Sequence, residues 1–582
     1  MSFLGVNRSL NGNRWIGPDI EIERWAETLV QRCSLTWPLA RVLARRNVAP
    51  QVAEQFLNPK LRDLLPDPLV LKDMRTAADR LLKALNSDQR IAIFADYDVD
   101  GAAGAALLIE WLRPMGKQAT LYIPDRIREG YGPNAEAIAS LAKTHELIIC
   151  VDCGMTAHAA LSAAAKADVI VLDHHQGDEL LPPALAIVNP NRADEPDEFG
   201  YLCATAVVFL MLVDVGRLLR NLGIKSPDLM AMLDLVALAT VADVSPLVGL
   251  NRALVRQGLK VMSRRRRLGL SALADVAGLG AAPTASHLGF QLGPRINAGG
   301  RIGTSTLGVR LLTSSDPAEA AAIALKLDQL NAERRDIELV IETTAVTQAE
   351  KRGVDGPLVW AAGEDWHQGV VGIVASRLRE KTGRPAVVIG FNGKVGKGSA
   401  RSLPGVNIGA AIVRLVHEGL LVGGGGHRMA AGLTVERKNL ELAMARLAQL
   451  LRRQGSDRDA SLDLRLDGLI TPRAITFDLV SALNEAGPFG SAAPAPMFAV
   501  PDLKVKFAKP LGNGHVKLLF ADSDEMTIDG IAFGVLDSEL GQSLSQPDGT
   551  RYHVVAHPEI NVWRGKHKVQ LRIRDAARVA PH

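Results

Sequence analysis

The chain has 582 residues, 47% of them hydrophobic and 4% aromatic, with a formal net charge of +4 that only hints at an anionic partner. This length exceeds what one core serves and predicts about three or four domains. No apolar run is long enough to span a bilayer, the first residues lack a signal-peptide layout, and the scattered Cys33, Cys150, Cys153 and Cys203 suggest no disulfide framework, so a cytoplasmic protein with reduced thiols is expected.

Residues 1–87 read as helical. Apolar residues recur at helical spacing over 19–32, 38–46 and 52–57, with prolines at 50, 59, 66 and 68 as breaks, and 74–85 forms a further helix. No catalytic constellation occurs there. The run 91–95 then has the character of a strand buried on both faces. It stops in three acids at alternate positions, Asp96, Asp98 and Asp100, before Gly101 opens a small-residue helix. Strand, acidic loop and helix is the layout of an open α/β sheet, whose ligands sit beyond the carboxyl ends of the strands. Three carboxylates crowded there repel one another unless a cation offsets them. An acidic turn or N-cap cluster is the plainer alternative.

The alternation continues with a strand at 119–123, a helix at 134–144, and a second buried strand at 146–152 that ends in Asp152 and leads into an Ala-rich helix. A third strand, 167–175, ends in Asp173, His174 and His175. Carboxylates with one or two imidazoles suit Mn²⁺ or Mg²⁺, and the histidine favours Mn²⁺. The Cys150-Val-Asp-Cys153 spacing lacks the second ligand pair of a zinc finger, and Cys150 sits inside an apolar strand, so a core role is expected. The strongly apolar 230–241 runs into Asp243, which reads equally as cap or ligand. The basic run 263–267 reads as solvated, with phosphate contact as the alternative. The Gly-rich segment 291–301, with Arg295 and Arg301, suits wrapping backbone N–H groups and guanidinium forks around phosphate. Residues 315–350 form one long helix, a rigid connector.

A second α/β unit follows, with strands at 358–362 and 385–390 and a helix at 370–381. Two glycine-dense loops, 396–402 and 423–432, carry Ser399, Arg401 and His427, polar groups matched to an anion where glycine lets backbone approach closely. From 458 the pattern becomes period-two strands at 503–507, 516–520, 527–534, 552–557 and 569–573, with hairpin signals at 512–514 and 564–565 and one intervening helix near 477–484. A small barrel of the OB type fits this pattern, with Trp563, Lys566 and Lys568 as candidate contacts to a single strand. A purely structural barrel is the alternative.

Asp-Tyr-Asp-Val-Asp-Gly at 96–101, Val-Asp-Cys-Gly at 151–154, Asp-His-His at 173–175 and Ala-Asp-Val at 242–244 resemble the successive motifs of the DHH phosphoesterase superfamily. The stretch Gly-Gly-Gly-His-Arg-Met-Ala-Ala-Gly at 424–432 resembles the signature of its DHHA1 companion domain. With Phe-Leu-Asn-Pro at 56–59, the segment 293–301 and a C-terminal barrel, nearly the full length is similar to the superfamily's single-strand-specific 5′→3′ DNA exonucleases of DNA repair and recombination.

The resemblance implies an α/β architecture: after the helical region 1–87, a parallel-sheet DHH domain (88–314) joined by a long helix (315–352) to a smaller α/β DHHA1 domain (353–457), then an OB-type β-barrel that binds nucleic acid (458–582). It implies Asp98, Asp100, Asp152, His174 and Asp243 as metal ligands and catalytic groups. Asp96 and His175 are their close neighbours, Asp96 as a further candidate ligand and His175 as a catalytic group or phosphate contact. Arg301, Ser399, Arg401 and His427 are implied on substrate phosphates, and Arg126 and Tyr131 near the 5′ end of the strand. The implied mechanism uses two ions, Mn²⁺ or Mg²⁺, about 3.5–4 Å apart, to activate water and stabilise the leaving oxygen. The expected substrate is single-stranded DNA with a 5′-phosphate end. A single-strand-binding protein and a helicase are expected partners, and the chain is expected to be a monomer without membrane contact. Two rivals stand beside this reading. One is a sibling hydrolase of pyrophosphate, cyclic dinucleotides or very short oligonucleotides, which would not need the barrel; the other is a non-catalytic strand-binding protein, which would be expected to have lost some of the acids.

Overall fold

The run Ile91–Ala95 forms a strand buried at every position. Its sheet is covered on both faces: Ala92 and Phe94 pack with Ala137, Ile138 and Leu141, while the helix Val99–Leu112 lies against Val151 on the other side. In this computed structural model, which describes residues 2–126, 128–456, 463–563 and 566–579 (the side chains at 562 and 563 excepted), five parallel strands stand in the order Ala119–Tyr122, Ile91–Ala95, Leu147–Val151, Asp168–Leu172, Ala186–Val188. The direction of the crossovers reverses between Ile91–Ala95 and Leu147–Val151, and a crevice opens beyond the carboxyl ends of those two strands. The fifth strand has three residues, too few for a periodic signal in the sequence.

The chain divides into two compact units. One contains Pro66–Ser245 and Gln257–Ala460, and so holds this sheet, the 36-residue helix Pro317–Arg352 and a second sheet. That second sheet has the order Gly423–Gly426, Ala430–Glu436, Val395–Arg401, Ala386–Asn392, Val359–Glu364; only the last pair is parallel. The two stretches expected to be glycine-dense loops are therefore mostly strands. Glycine suits them because Ile389 lies where a Cβ of Gly396 or Gly398 would project, at 2.7 Å from each. The Gly-rich segment 291–301 is likewise regular structure, a π-helical turn over Leu288–Leu292 continuing into the helix Gly293–Ile302. Its backbone N–H groups are spent within the helix and do not wrap a phosphate.

The other unit contains Met1–Leu65, Pro246–Arg256 and Ser461–His582. Strands Phe498–Leu511, His515–Ala521, Thr527–Ala532, Lys566–Arg578 and Arg551–Trp563 pair in succession, and Arg551–Trp563 pairs back to Phe498–Leu511, closing a five-stranded barrel. The helix between barrel strands is Glu539–Leu544; the expected one, observed as Phe477–Glu485, precedes the barrel. The first residues are not purely helical, since Arg14–Ile16 pairs in parallel with Asp463–Arg465. Leu29 and Leu43 of the N-terminal helices share one apolar core with Val480, Phe498 and Phe520. The expected hairpin at 564–565 lies outside the described residues. Among the described residues no helix is long and apolar enough to cross a membrane.

Candidate active site

The acids of 96–100 owe their positions to backbone rules. Asp98 is the N-cap of the helix Val99–Leu112; its Oδ1 accepts from the N–H groups of Asp100 and Gly101 at 2.9 and 3.2 Å. Gly101 is required because a Cβ there would lie 2.4 Å from the Asp96 carbonyl oxygen. Asp100, buried on the first helical turn, accepts from the N–H groups of Ala204 and Thr205 at 2.7 and 2.9 Å, at the positive end of the helix Ala204–Asn221. Asp152 follows its strand with φ +60°, a strained left-handed conformation of the kind that gathers at functional sites. Asp243 caps the carboxyl end of the helix Leu233–Ala242.

The parallel order of the strands carries these groups into one basin. Two sets share no residue: Asp96, Asp98 and Asp152 in one, Asp100, His174 and Asp243 in the other, each with a ligand atom from every member within 4.8 Å of the others. His174 Nε2 stands 3.3 Å from Asp152 Oδ1, 3.8 Å from Asp100 Oδ2 and 3.9 Å from Asp243 Oδ2. Electrostatically the basin is under tension. Burial and then Asp98 push the Asp96 carboxyl well up, and burial followed by Asp100, Asp98, Asp96 and Asp243 does the same to Asp152. Asp243 rises to about 7 through burial and Asp100. Asp96 Oδ1, Asp152 Oδ1 and His174 Nε2 are buried and without a hydrogen-bond donor or acceptor. Orphaned acceptors, mutual repulsion and an oxygen-rich donor set with one imidazole fit two hard divalent cations of the Mn²⁺ or Mg²⁺ class.

Asp173 serves differently. It accepts from the N–H groups of Met155, His174 and His175, and its Oδ1 lies 2.8 Å from His175 Nδ1. Burial alone would raise this carboxyl, but the His175 bond and the positive imidazoles hold it at about 2. Burial opposes charge on His175, and the Asp173 bond overcomes it to lift the imidazole to about 9. Tyr131 Oη lies 3.1 Å from His175 Nδ1 and donates to the Asp152 carbonyl at 3.1 Å.

Beside the basin is a cavity of about 560 Å³ lined by Tyr97, Arg126, Tyr131, Lys397, Ser399 and Arg401 among others. Lys397, Ser399 and Arg401 alternate along one strand and so share a face. Ser399 is paired with Gly432, and Gly432 with Gly425; a Cβ at either glycine would meet nothing within 4 Å, so bare backbone forms the floor next to the hydroxyl. Arg401 donates through Nη1 to Ser399 Oγ at 2.8 Å and through Nε to Ser376 Oγ at 3.2 Å. Burial, then Arg126 and Arg379, lower its pKa, the mark of cations gathered without a counter-anion. The guanidinium of Arg126 lies 5.0 Å from the centre of the Tyr97 ring.

Most residues expected at the site converge here. Arg301 is held by the Gly369 carbonyl at 3.0 Å, and burial, then Arg126, depress it to about 10. His427 is exposed in the hairpin after Gly426 and feels both His174 and His175. Arg295 does not join them, because its guanidinium is committed to Asp328 of the long helix at 2.9 Å and to the Gln291 carbonyl. The side chain of Trp563 lies outside the described residues. Cys150 and Cys153 are buried in the core. Two residues were missed. Lys397 was legible as the start of an alternating Lys-x-Ser-x-Arg pattern, had 396–402 been read as a strand. Asn297 left no local signal: its Oδ1 accepts from Val99 N–H at 3.0 Å, pinning the acidic loop from 198 residues away.

Family models for the DHH family N-terminal domain, the DHHA1 domain and the RecJ OB domain match residues 90–240, 355–453 and 466–575. Single-stranded-DNA-specific exonuclease RecJ of Dickeya dadantii is 38% identical over 567 residues, covering 93% of this chain and 96% of that protein. Its counterpart in Escherichia coli is 35% identical, over 92% and 95%. The crystal structure of RecJ from Thermus thermophilus in complex with Mn²⁺ matches with a TM-score of 0.81 and 29% identity, covering 98% of this chain and 80% of that one; the Mg²⁺ complex matches at 0.74 and 26%. With the acids at the switch point, the second mixed sheet and the closed barrel all falling within these matches, the chain belongs to the RecJ family of DHH phosphoesterases.

Proposed function

We propose that this chain is a Mn²⁺- or Mg²⁺-dependent exonuclease that removes nucleotides from the 5′ end of single-stranded DNA. The observation that carries the reading is a pair of non-overlapping clusters, one of three acids and one of two acids with an imidazole, beside a cationic pocket. Asp96, Asp98 and Asp152 would hold one cation, and Asp100, His174 and Asp243 the other. When bound, such ions neutralise phosphoryl oxygens and acidify the attacking water. Arg126, Arg401 and Ser399 bind the 5′-phosphate, with Lys397 and Tyr131 at the pocket wall and Arg301 and His427 on neighbouring phosphates. His175, braced by Asp173 through Nδ1, serves in proton transfer or as a phosphate contact. Arginines gathered beside the clusters to receive a terminal phosphate support exonucleolytic over internal cleavage, and the full set of acids argues against a non-catalytic strand binder. Four unpaired cysteines support a reducing, cytoplasmic setting.

The test is a time course on 5′- and 3′-labelled single and double strands with Mn²⁺. Mononucleotides should leave the 5′ label first, from single strands only. Internal fragments appearing first, or duplex degraded as readily, would overturn the reading.

The barrel adds grip. Lys509, Lys517, Ile531 and Arg572 are successive cross-strand partners, so their side chains share one face, with Lys509, Lys517 and Arg572 exposed. Beside this row the Phe533 ring is exposed, 5.0 Å from the His515 ring and 5.0 Å from the Arg572 guanidinium. We assign this face to single-strand binding. Lys517→Ala with Arg572→Ala should weaken binding to long strands and reduce the salt slope by about 1.4, at ~0.7 per lost phosphate contact. Turnover at saturating substrate should be unchanged. An unaltered slope in a salt titration would make the barrel's role structural.

A further inference from the structure

Phe290 is 79% exposed, the most exposed of the large apolar side chains described. It sits on the π-helical turn Leu288–Leu292, whose end residues Leu288 and Leu292 are fully buried. Such turns insert an extra residue into a helix and often occur at functional sites, where they re-aim a side chain. The turn is pressed against the helix that carries Asp243. A Cβ on Gly289 would lie 3.4 Å from Val241, and one on Gly293 would lie 3.1 Å from Ala242. Immediately after Asp243, Val244 is 68% exposed with φ +60°, a conformation that β-branched residues rarely adopt and that persists only where surroundings impose it. Two apolar side chains are thus held in water at the rim of the second acid cluster.

Their position relative to the end pocket gives them a meaning. Arg126 lies over Tyr97, the residue next to Asp96, and both line the pocket, so the pocket borders the first cluster. Asp243 Oδ2 lies 3.9 Å from His174 Nε2 and belongs to the second. A strand with its 5′-phosphate in the pocket and its first phosphodiester over the clusters leaves on the Asp243 side. We infer that Phe290 is the stacking platform for a base on the 3′ side of the scissile bond, within the first few nucleotides of the retained strand. Base–aromatic stacking is strong and tolerant of sequence, which suits an enzyme that meets every base in turn. The inference rests on the exonuclease reading above.

The experiment pairs a protein change with a substrate change. Wild type, Phe290→Ala and Phe290→Trp are compared on 5′-phosphorylated single strands carrying an abasic site at each of the second to fifth positions. In wild type, one of these abasic sites should raise KM about tenfold. Phe290→Ala should raise KM on the intact strand by a similar factor, with kcat little changed, and should lose its sensitivity at that position. Phe290→Trp should retain both. Because the ring is exposed, melting temperatures of the three proteins should coincide, and a fold defect would appear as a shift. An unchanged KM for Phe290→Ala, or undiminished sensitivity to every abasic position, overturns the platform. A wild type that cleaves no single strand would overturn the exonuclease reading instead.

Discussion

Asp152→Asn should lower kcat on single-stranded DNA by roughly three orders of magnitude or more, the scale of several kcal/mol expected when a metal site loses a ligand. Asparagine is the appropriate replacement because position 152 has φ +60°, which Asn tolerates better than Ala. The native carboxyl's Oδ1 has no donor, and burial followed by four neighbouring acids pushes its pKa up. A neutral amide relieves that repulsion, so without metal the variant should melt no lower than wild type. Added Mn²⁺ should raise the wild-type melting temperature, since a ligand at about 100 times its Kd adds about 2.7 kcal/mol to the native state. The variant should show little of this rise. Near-normal cleavage by the variant in Mn²⁺, or an equal metal-induced shift in both proteins, would remove Asp152 from the ligand set.

Arg401→Ala should erode the preference for 5′-phosphorylated over 5′-hydroxyl strands by ~1.5–3 kcal/mol, the worth of a hydrogen bond to a charged group. That corresponds to about 10- to 150-fold in the ratio of kcat/KM values. A terminal phosphate carries more negative charge than an internal one, and Arg401 presents its fork beside Ser399 above a glycine floor. The Mn²⁺-induced melting shift should remain, since no carboxylate or imidazole changes. Arg401 also ties Ser376 to Ser399. Were that bracing its whole role, both substrates would suffer alike, and an unchanged ratio would exclude end recognition.

The barrel and the second sheet show where sequence pattern falls short. Alternating apolar residues marked the strands His515–Ala521 and Thr527–Ala532 because one face of each is buried. In Val395–Arg401 the buried face is partly glycine, with Gly396 and Gly398 making room for Ile389, so the period-two signal vanished and a loop was expected. Arg295 and Arg301 sit in one segment with equal claims on phosphate. Only the position of Asp328 on a neighbouring helix separates them.

By itself the sequence pointed to the chemistry: short buried strands followed by Asp96, Asp98, Asp100, Asp152 and His174, hard oxygen donors joined by one imidazole, a set suited to a divalent cation. These signals are local, since a continuous apolar run and the acid that ends it are set by burial within a few residues. What the tertiary structure decided was which acids meet. Parallel pairing places Asp152 beside Asp96 because their strands are neighbours at the point where the crossovers reverse, an order with no trace in either strand's residues. It brings in Asp243 from a helix end and Asn297 from 198 residues away, and gathers the acids with His174 and His175 into adjoining clusters. Long-range pairing depends on the complementarity of whole surfaces, and no single stretch of chain encodes it.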